Sequence, residues 1–278
     1  MTLRAPIVAA YGMGTNSTAL LVEMVRRGEP VDAIVSADTE GERPWTYEFR
    51  DLFSAWLVAH GYPAITIVKK GGRPESLEDN CLRLAMLPSL AYGFKGCSHK
   101  YKIEPQEAWA NKWPPARAAW AGGQKVVKLI GYDVDEPHRA AIPEDDKYTY
   151  RYPLLEWGWG REECVAAIAA AGLPQPGKSS CFFCPASTKA EILELRREHP
   201  DLLARALAIE STAINAGNLR SVNGLGRKLH WGQFLQLVEE AEDPTKFILR
   251  QQDFPNPPQC GGCYDGRSLD ADEQEPVA

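Results

Sequence analysis

The sequence predicts an α/β fold: a twisted, mainly parallel five-stranded sheet flanked by helices, continued by a helical C-terminal extension. Short apolar runs alternate with longer segments of helical periodicity through the first two thirds of the chain. Glycine and proline mark the junctions. A glycine-containing turn joins the first apolar run to the first helix, as in βα units linked by right-handed crossovers.

Residues 6–10, "PIVAA", form a short buried strand. Residues 17–27, "STALLVEMVRR", place Leu20, Leu21, Met24 and Val25 at helical spacing, and Gly28 supplies the stop. "VDAIVSAD" (31–38) is the second strand. Residues 44–60 form a helix opened by Pro44 and closed by Gly61. Further strands are expected at 64–68, 125–132 and 148–155, and further helices at 75–86, 104–112, 161–171, 188–198, 201–216 and 231–241. The expected division is an α/β nucleotide-binding domain over 1–178, a Cys-rich helical segment over 179–267 packed on it, and an acidic, disordered tail over 268–278.

The 278 residues are 44% hydrophobic and 24% charged, as in an ordinary globular protein. A net charge of -6 gives no global attraction to nucleic acid or to an anionic membrane. No apolar run reaches the roughly 18 residues of a membrane span, so no membrane partner is expected. "MTLRAPIVAAYG" reads as a first strand rather than a secretory signal, which makes the cytoplasm the expected location. Seven cysteines, an odd count in a chain too large to need disulfide staples, suggest metal ligands or redox groups.

"AAYGMGTNSTALL" (9–21) is a strand, a glycine loop and a helix start. Loop amides and the helix N-terminus, with about half a positive charge from the dipole, suit a phosphate. Tyr11, Gly12, Met13, Gly14, Thr15, Asn16, Ser17 and Thr18 are therefore nucleotide-binding candidates, with the Ser17 and Thr18 hydroxyls as further donors. No G-K-[ST] follows, and position 17 is not Gly, which excludes the Walker A and dinucleotide fingerprints. The segment resembles the PP-loop, S-G-G-x-D-S/T, of the ATP pyrophosphatases and phosphoadenylyl-sulfate (PAPS) reductases. Gly14 and the Ser-Thr pair match, while Gly12 replaces the Ser, Met13 the first Gly and Asn16 the Asp. Asn keeps a hydrogen-bonding side chain but loses the charge. The bland alternative is an ordinary strand-to-helix turn.

Further matches follow in the family's order. In "ADTEGERPWTY", Asp38 and Thr39 resemble "DTG…PET" at the strand edge where ligands bind in such sheets; Asp38 could instead cap a turn. "GCSHKYKIEP" resembles the segment in which a Cys precedes basic residues and a helix. Lys95, His99, Lys100 and Lys102 there could lower the Cys97 pKa or bind an oxyanion, or form a solvated basic loop. "IGYDVDEPHR" resembles G-x-R-x-x-E-S-x-x-R through Gly131, Glu136 and Arg139, but Asp133 replaces the Arg and Pro137 the Ser. Losing that Arg implies a substrate other than the reductases' sulfonucleotide. "YPLLEWGWG" looks like the family's P-L-x-x-W, its tryptophans read as packing. The resemblance spans residues 6–185 and implies a Rossmann-like PP-loop fold.

"CFFC" (181–184) and "CGGC" (260–263) are both C-x-x-C. The interval from Cys97 to Cys181 is similar to that between cluster-binding cysteines in iron–sulfur adenylyl-sulfate reductases. One reading puts Cys97, Cys181, Cys184 and either Cys260 or Cys263 on a [4Fe–4S] cluster. Another puts Cys181, Cys184, Cys260 and Cys263 on zinc and leaves Cys97 as a nucleophile. A third is dithiol redox chemistry at Cys260 and Cys263. Cys81 and Cys164 fall on helices and read as packing residues. "NLRSVNGLGRKLHWGQF" (218–234) could meet a phosphate backbone and stack a base on Trp231, or be a solvated loop entering a helix.

The resemblance implies adenylation-coupled sulfur transfer with ATP/Mg²⁺, a nucleic-acid or nucleotide acceptor and a sulfur donor protein. Cys97, Lys100, Lys102, Glu136 and Arg139 would be catalytic, and Asp38, Thr39 and Gly131 would join the nucleotide site. The alternatives are a sulfonucleotide reductase releasing sulfite, disfavoured because the family's C-terminal E-C-G-x-H is missing, and a nucleotide-binding regulatory or DNA-associated module.

Overall fold

The computed structural model describes residues 4–241, apart from 73, 74, 144, 220 and 228. In chain order it contains β1 (Ile7–Ala10), α1 (Thr15–Arg27), β2 (Ala33–Ala37), α2 (Pro44–Ala59), β3 (Ile65–Val68), α3 (Leu77–Leu84) and a 3₁₀ turn (Ser89–Tyr92). There follow α4 (Gly96–Ser98), a π-helical turn (His99–Ile103), α5 (Glu104–Ala110), α6 (Pro114–Ala121), β4 (Val126–Ile130) and a 3₁₀ turn (Pro137–Ala140). The remaining elements are β5 (Tyr148–Arg151), α7 (Pro153–Glu156), α8 (Arg161–Ala170), α9 (Lys189–Glu198), α10 (Pro200–Asn215) and α11 (Trp231–Glu240).

The five strands pair in parallel in the order β3-β2-β1-β4-β5. The chain leaves β1 toward β2 on one side, while β4 lies against its other edge. The crevice at the carboxyl ends of β1 and β4 is thus the topological switch point, where open sheets of this kind receive ligands. Ala10 pairs with Ile130 at that edge, so the loops that begin at Tyr11 and Gly131 leave side by side.

Strand alternation decides which helices cover which face. Ala9, Tyr11, Ile34 and Leu129 pack with Leu20, Leu21 and Met24 of α1, Phe49 and Phe53 of α2, and Cys164 and Ile168 of α8. Their neighbours Val8, Ala33, Val35 and Val126 face Ala110, Ala116 and Ala119 of α5 and α6. A third apolar cluster joins α3, α9, α10 and α11 to Cys181, Phe182, Phe183 and Cys184.

Local signals account for the ends of the elements. Gly28 takes the left-handed conformation, φ 64°, and returns its N–H to Met24 and Val25, with Arg26 and Arg27 favourably placed in the last turn of α1. Ser76 and Asp79 form a capping box on α3, and Thr188 and Glu191 do the same on α9.

Two expectations are corrected. The strand expected at 148–155 ends at Arg151, because Pro153 starts the short α7. The segment from Gly96 to Ala110 winds through α4, the π-helical turn and α5 without a break, so Cys97 and Lys102 stand on helical turns rather than on a loop. Cys81 and Cys164 are buried in α3 and α8, as expected of packing residues. No helix among the described residues is long and apolar enough to cross a membrane. Cys260, Cys263 and the expected acidic tail lie outside the described residues.

Candidate functional site

The loop from Tyr11 to Gly14 delivers the chain to an α1 N-terminus that no side chain caps. Gly14 is the N-cap, and no acid stands in the first turn of the helix. An anion there would meet unneutralised N–H groups. Met13, where the PP-loop motif has Gly, keeps the left-handed backbone that glycine favours (φ 59°), and its side chain is buried in the core behind the loop. Glu40, at the Gly position of "DTG", does the same with φ 61°.

Loop side chains mostly brace the loop itself. Ser17 and Thr18 both donate their hydroxyls to the Gly14 carbonyl, at 3.2 and 2.9 Å, and Gly12 N–H donates to Ser17 Oγ. The Tyr11 and Thr18 hydroxyls are hydrogen-bonded at 3.2 Å. Asn16 donates to Asp133 at 2.7 Å, so the two residues that depart most in charge from the family motifs are partners. Gly131 lets the end of β4 approach: a Cβ there would lie 3.0 Å from Ser17 N and 3.2 Å from Asn16 C.

The loop after β2 supplies the second wall. Asp38 accepts from Glu40 N–H at 2.7 Å and from the Tyr47 hydroxyl at 3.0 Å, which combines an Asx turn with a tie to α2. The "CFFC" segment docks on this loop. Glu42 and Cys181 form an antiparallel bridge, Phe182 N–H donates to the Gly41 carbonyl at 2.7 Å, and Thr39 Oγ1 lies 3.1 Å from Cys181 Sγ. Only glycine fits at 41, since a Cβ would come within 2.9 Å of the Phe183 ring. The same segment comes up to the glycine loop, where Ser179 Cβ is 3.9 Å from the Cβ position of Gly14.

No protein-family profile and no curated protein sequence matches the chain. Among solved structures it is similar to a phosphoadenylyl-sulfate (PAPS) reductase from Candida auris in its phosphate complex, with 22% identity, 63% of this chain and 76% of that chain covered, and a TM-score of 0.43. It is also similar to the U34-tRNA thiolase NcsA from Methanococcus maripaludis with its [4Fe–4S] cluster, with 12% identity, coverage of 79% and 74%, and a TM-score of 0.40. What its site can do rests on its own residues.

Sequence reasoning missed Glu42. Its side chain is fully buried (0% exposed), Ser179 donates to Oε2 at 3.4 Å, and the Lys102 ammonium lies 3.6 Å from Oε1, which has no hydrogen-bond partner. Burial pushes the Glu42 carboxyl above the usual carboxylate range, against the pull of Lys102. The signal was faint, an acid between "DTEG" and a helix-starting proline, and nothing local marks it as buried.

The other candidates are placed as follows. Burial pushes the Cys181 thiol up, and nearby Glu42 adds to this. Cys97 is partly exposed, and its N–H donates to Ser89 Oγ at 2.6 Å. Lys100 and His99 are exposed, with His99 3.1 Å from Glu104. Arg139 pairs with Glu136 at 2.6 Å and lies over the Tyr132 ring, so the charge of each is already answered. Trp231 is 1% exposed and packed in the core, which removes it as a base-stacking platform; Arg220 and Lys228 lie outside the described residues.

Cys97, Cys181 and Cys184 pack in or against one apolar cluster. Among the described residues, however, no three His, Cys, Asp or Glu side chains converge into an array that could hold a metal ion. Cys260 and Cys263, the remaining ligands of either expected centre, lie outside the described residues.

Proposed function

We propose that the chain binds an adenine nucleotide by its phosphates at residues 11–18 and couples adenylation of an acceptor to sulfur transfer at the adjoining thiols. The observation that carries this reading is the meeting of an uncapped helix N-terminus at the sheet's switch point with the cysteine-bearing segment 179–184. Asp38 and Thr39 flank the ribose or Mg²⁺ side, and Gly131 the adenine edge. An acceptor carbonyl oxygen attacks the α-phosphorus of ATP and pyrophosphate leaves. The outer sulfur of a Cys97 persulfide, handed on from a donor protein's own persulfide, then displaces AMP to give an acceptor–S–S–Cys97 disulfide. An external thiol cleaves it, releasing the thiolated acceptor and leaving a mixed disulfide that a second thiol reduces back to Cys97. Lys102 and Lys100 steady the developing negative charge, and Arg139 does so once released from Glu136. A [4Fe–4S] centre would be held by Cys97, Cys181, Cys184 and one of Cys260 and Cys263, and zinc by the two C-x-x-C pairs. No step of the reaction is routed through either.

The test is pyrophosphate release from ATP and thiolation of the acceptor, measured with the full chain, a pool of nucleic acids, a persulfide donor and excess thiol. Acceptor-dependent pyrophosphate release that Cys97→Ser retains, with thiolation lost in that variant, supports the reading. Sulfite from adenylylated sulfate with thioredoxin would replace it with the reductase, and tight ATP binding without turnover would replace it with a binding module. Failure to bind ATP ends it.

A further inference from the structure

Glu42 joins three segments that the chain brings to one edge of the sheet. Its backbone bridges Cys181, its Oε2 receives the Ser179 hydroxyl, and its Oε1 faces the Lys102 ammonium at 3.6 Å. Ser179 in turn lies beside the glycine loop, its Cβ 3.9 Å from the Cβ position of Gly14. The Glu42 side chain is wholly buried, whereas that of Lys102 keeps 17% exposure, so of the two only Lys102 is open to a ligand from solvent. Glu42 Oε1 is buried without a hydrogen bond, and what it faces is the Lys102 ammonium. A buried polar oxygen of this kind calls for a reason.

We propose that Glu42 is a positioning residue: its buried carboxyl holds Lys102 at the mouth of the phosphate loop, and Lys102 acts on bound phosphate from that station. The inference rests on the nucleotide reading above and deepens it by naming what keeps the lysine in place. Loss of Glu42 removes the buried carboxylate that faces this long, flexible side chain, and its charge is then held less closely to one position.

Two measurements on the full chain decide this. The first is ATP affinity by calorimetry for wild type, Glu42→Gln, Lys102→Met and the double variant. Lys102→Met should weaken ATP binding about tenfold, Glu42→Gln nearly as much, and the double variant no more than Lys102→Met alone, because one residue works through the other. Independent effects would multiply to about a hundredfold, and that outcome, or an unchanged affinity in Glu42→Gln, overturns the proposal. A general structural weakening would not produce this coupling. The second measurement needs no nucleotide: acylation of Lys102 by a water-soluble active ester, read by peptide mass spectrometry. Labelling of Lys102 should rise several-fold in Glu42→Gln while other lysines stay constant. Should that variant fail to fold, Glu42→Asp, which withdraws the carboxyl by one methylene, should show the same change at smaller size. Unchanged Lys102 labelling in the variants that fold overturns the proposal. A wild type that binds no ATP but shows the labelling change sinks the nucleotide reading and the lysine's role on phosphate, and leaves the Glu42–Lys102 contact standing.

Discussion

Replacing Gly131 by alanine adds one carbon where β4 meets the start of α1. That carbon would sit 3.0 Å from Ser17 N, 3.1 Å from Ser17 Cα and 3.2 Å from Asn16 C. All three are backbone atoms, so no side chain can swing aside; the first turn of α1 or the end of β4 must move by a few tenths of an ångström. Overpacking of this kind costs about 1–3 kcal/mol. For a chain of this size that lowers the melting temperature by about 2–4 °C per kcal/mol. The displaced turn carries the amides assigned to phosphate, so ATP affinity should fall by about tenfold or more, equivalent to about 1.4 kcal/mol. Gly28→Ala is the control. Gly28 sits at the far end of the same helix with φ 64° and nothing within 4 Å of its Cβ position, so alanine there costs about 1–2 kcal/mol of backbone strain without touching the mouth. Calorimetry and melting curves on both variants separate stability from binding. Equal loss of ATP affinity in the two variants, or none in Gly131→Ala, would refute the placement of phosphate at this turn.

Met13→Gly relieves a left-handed backbone worth about 1–2 kcal/mol but empties a buried site worth about 2–5 kcal/mol; the net loss, seen by denaturant titration, should be about 1–3 kcal/mol. Glu23 is buried, and the Arg26 and Arg27 guanidiniums hold its carboxyl below the usual range. Its folded-state pKa is depressed, so its stabilisation is present above the ordinary Glu value and lost as pH falls through the folded value. The melting-temperature gap between wild type and Glu23→Gln should therefore shrink from about pH 7 to about pH 3, and a gap that widens contradicts the ion pairs. Burial pushes the Cys81 and Cys164 thiols up to about 12 and raises Cys181 as well. Alkylation of the native chain at about pH 8, mapped by peptide mass spectrometry, should mark partly exposed Cys97 before these three.

Much of the fold was legible because each element carries its own local signal. The apolar spacing of Leu20, Leu21 and Met24, the stop at Gly28 and the proline at position 44 each act within one or two turns, and the helices they announce are present. The helix at Pro114–Ala121 was missed because its Ala-rich run has little apolar periodicity, and the strand at 148–155 was drawn too long across a helix-starting proline. At the site, the glycine loop and Asp38 were visible as motifs. Met13 and Glu40 hid two left-handed bends, since nothing in a methionine or a glutamate announces a positive φ.

By itself the sequence determined most of the elements, their α/β alternation and the glycine turn after the first strand, because propensity, capping and burial period are properties of neighbouring residues. Only the tertiary structure decided the strand order that opens the switch point, the pairing of Asn16 with Asp133, the docking of Cys181 beside Thr39 and the burial of Glu42 behind Lys102. Those contacts join residues far apart along the chain. Whether a carboxyl there is solvated or buried, and which thiol it meets, depends on how whole layers pack, and no local pattern encodes that.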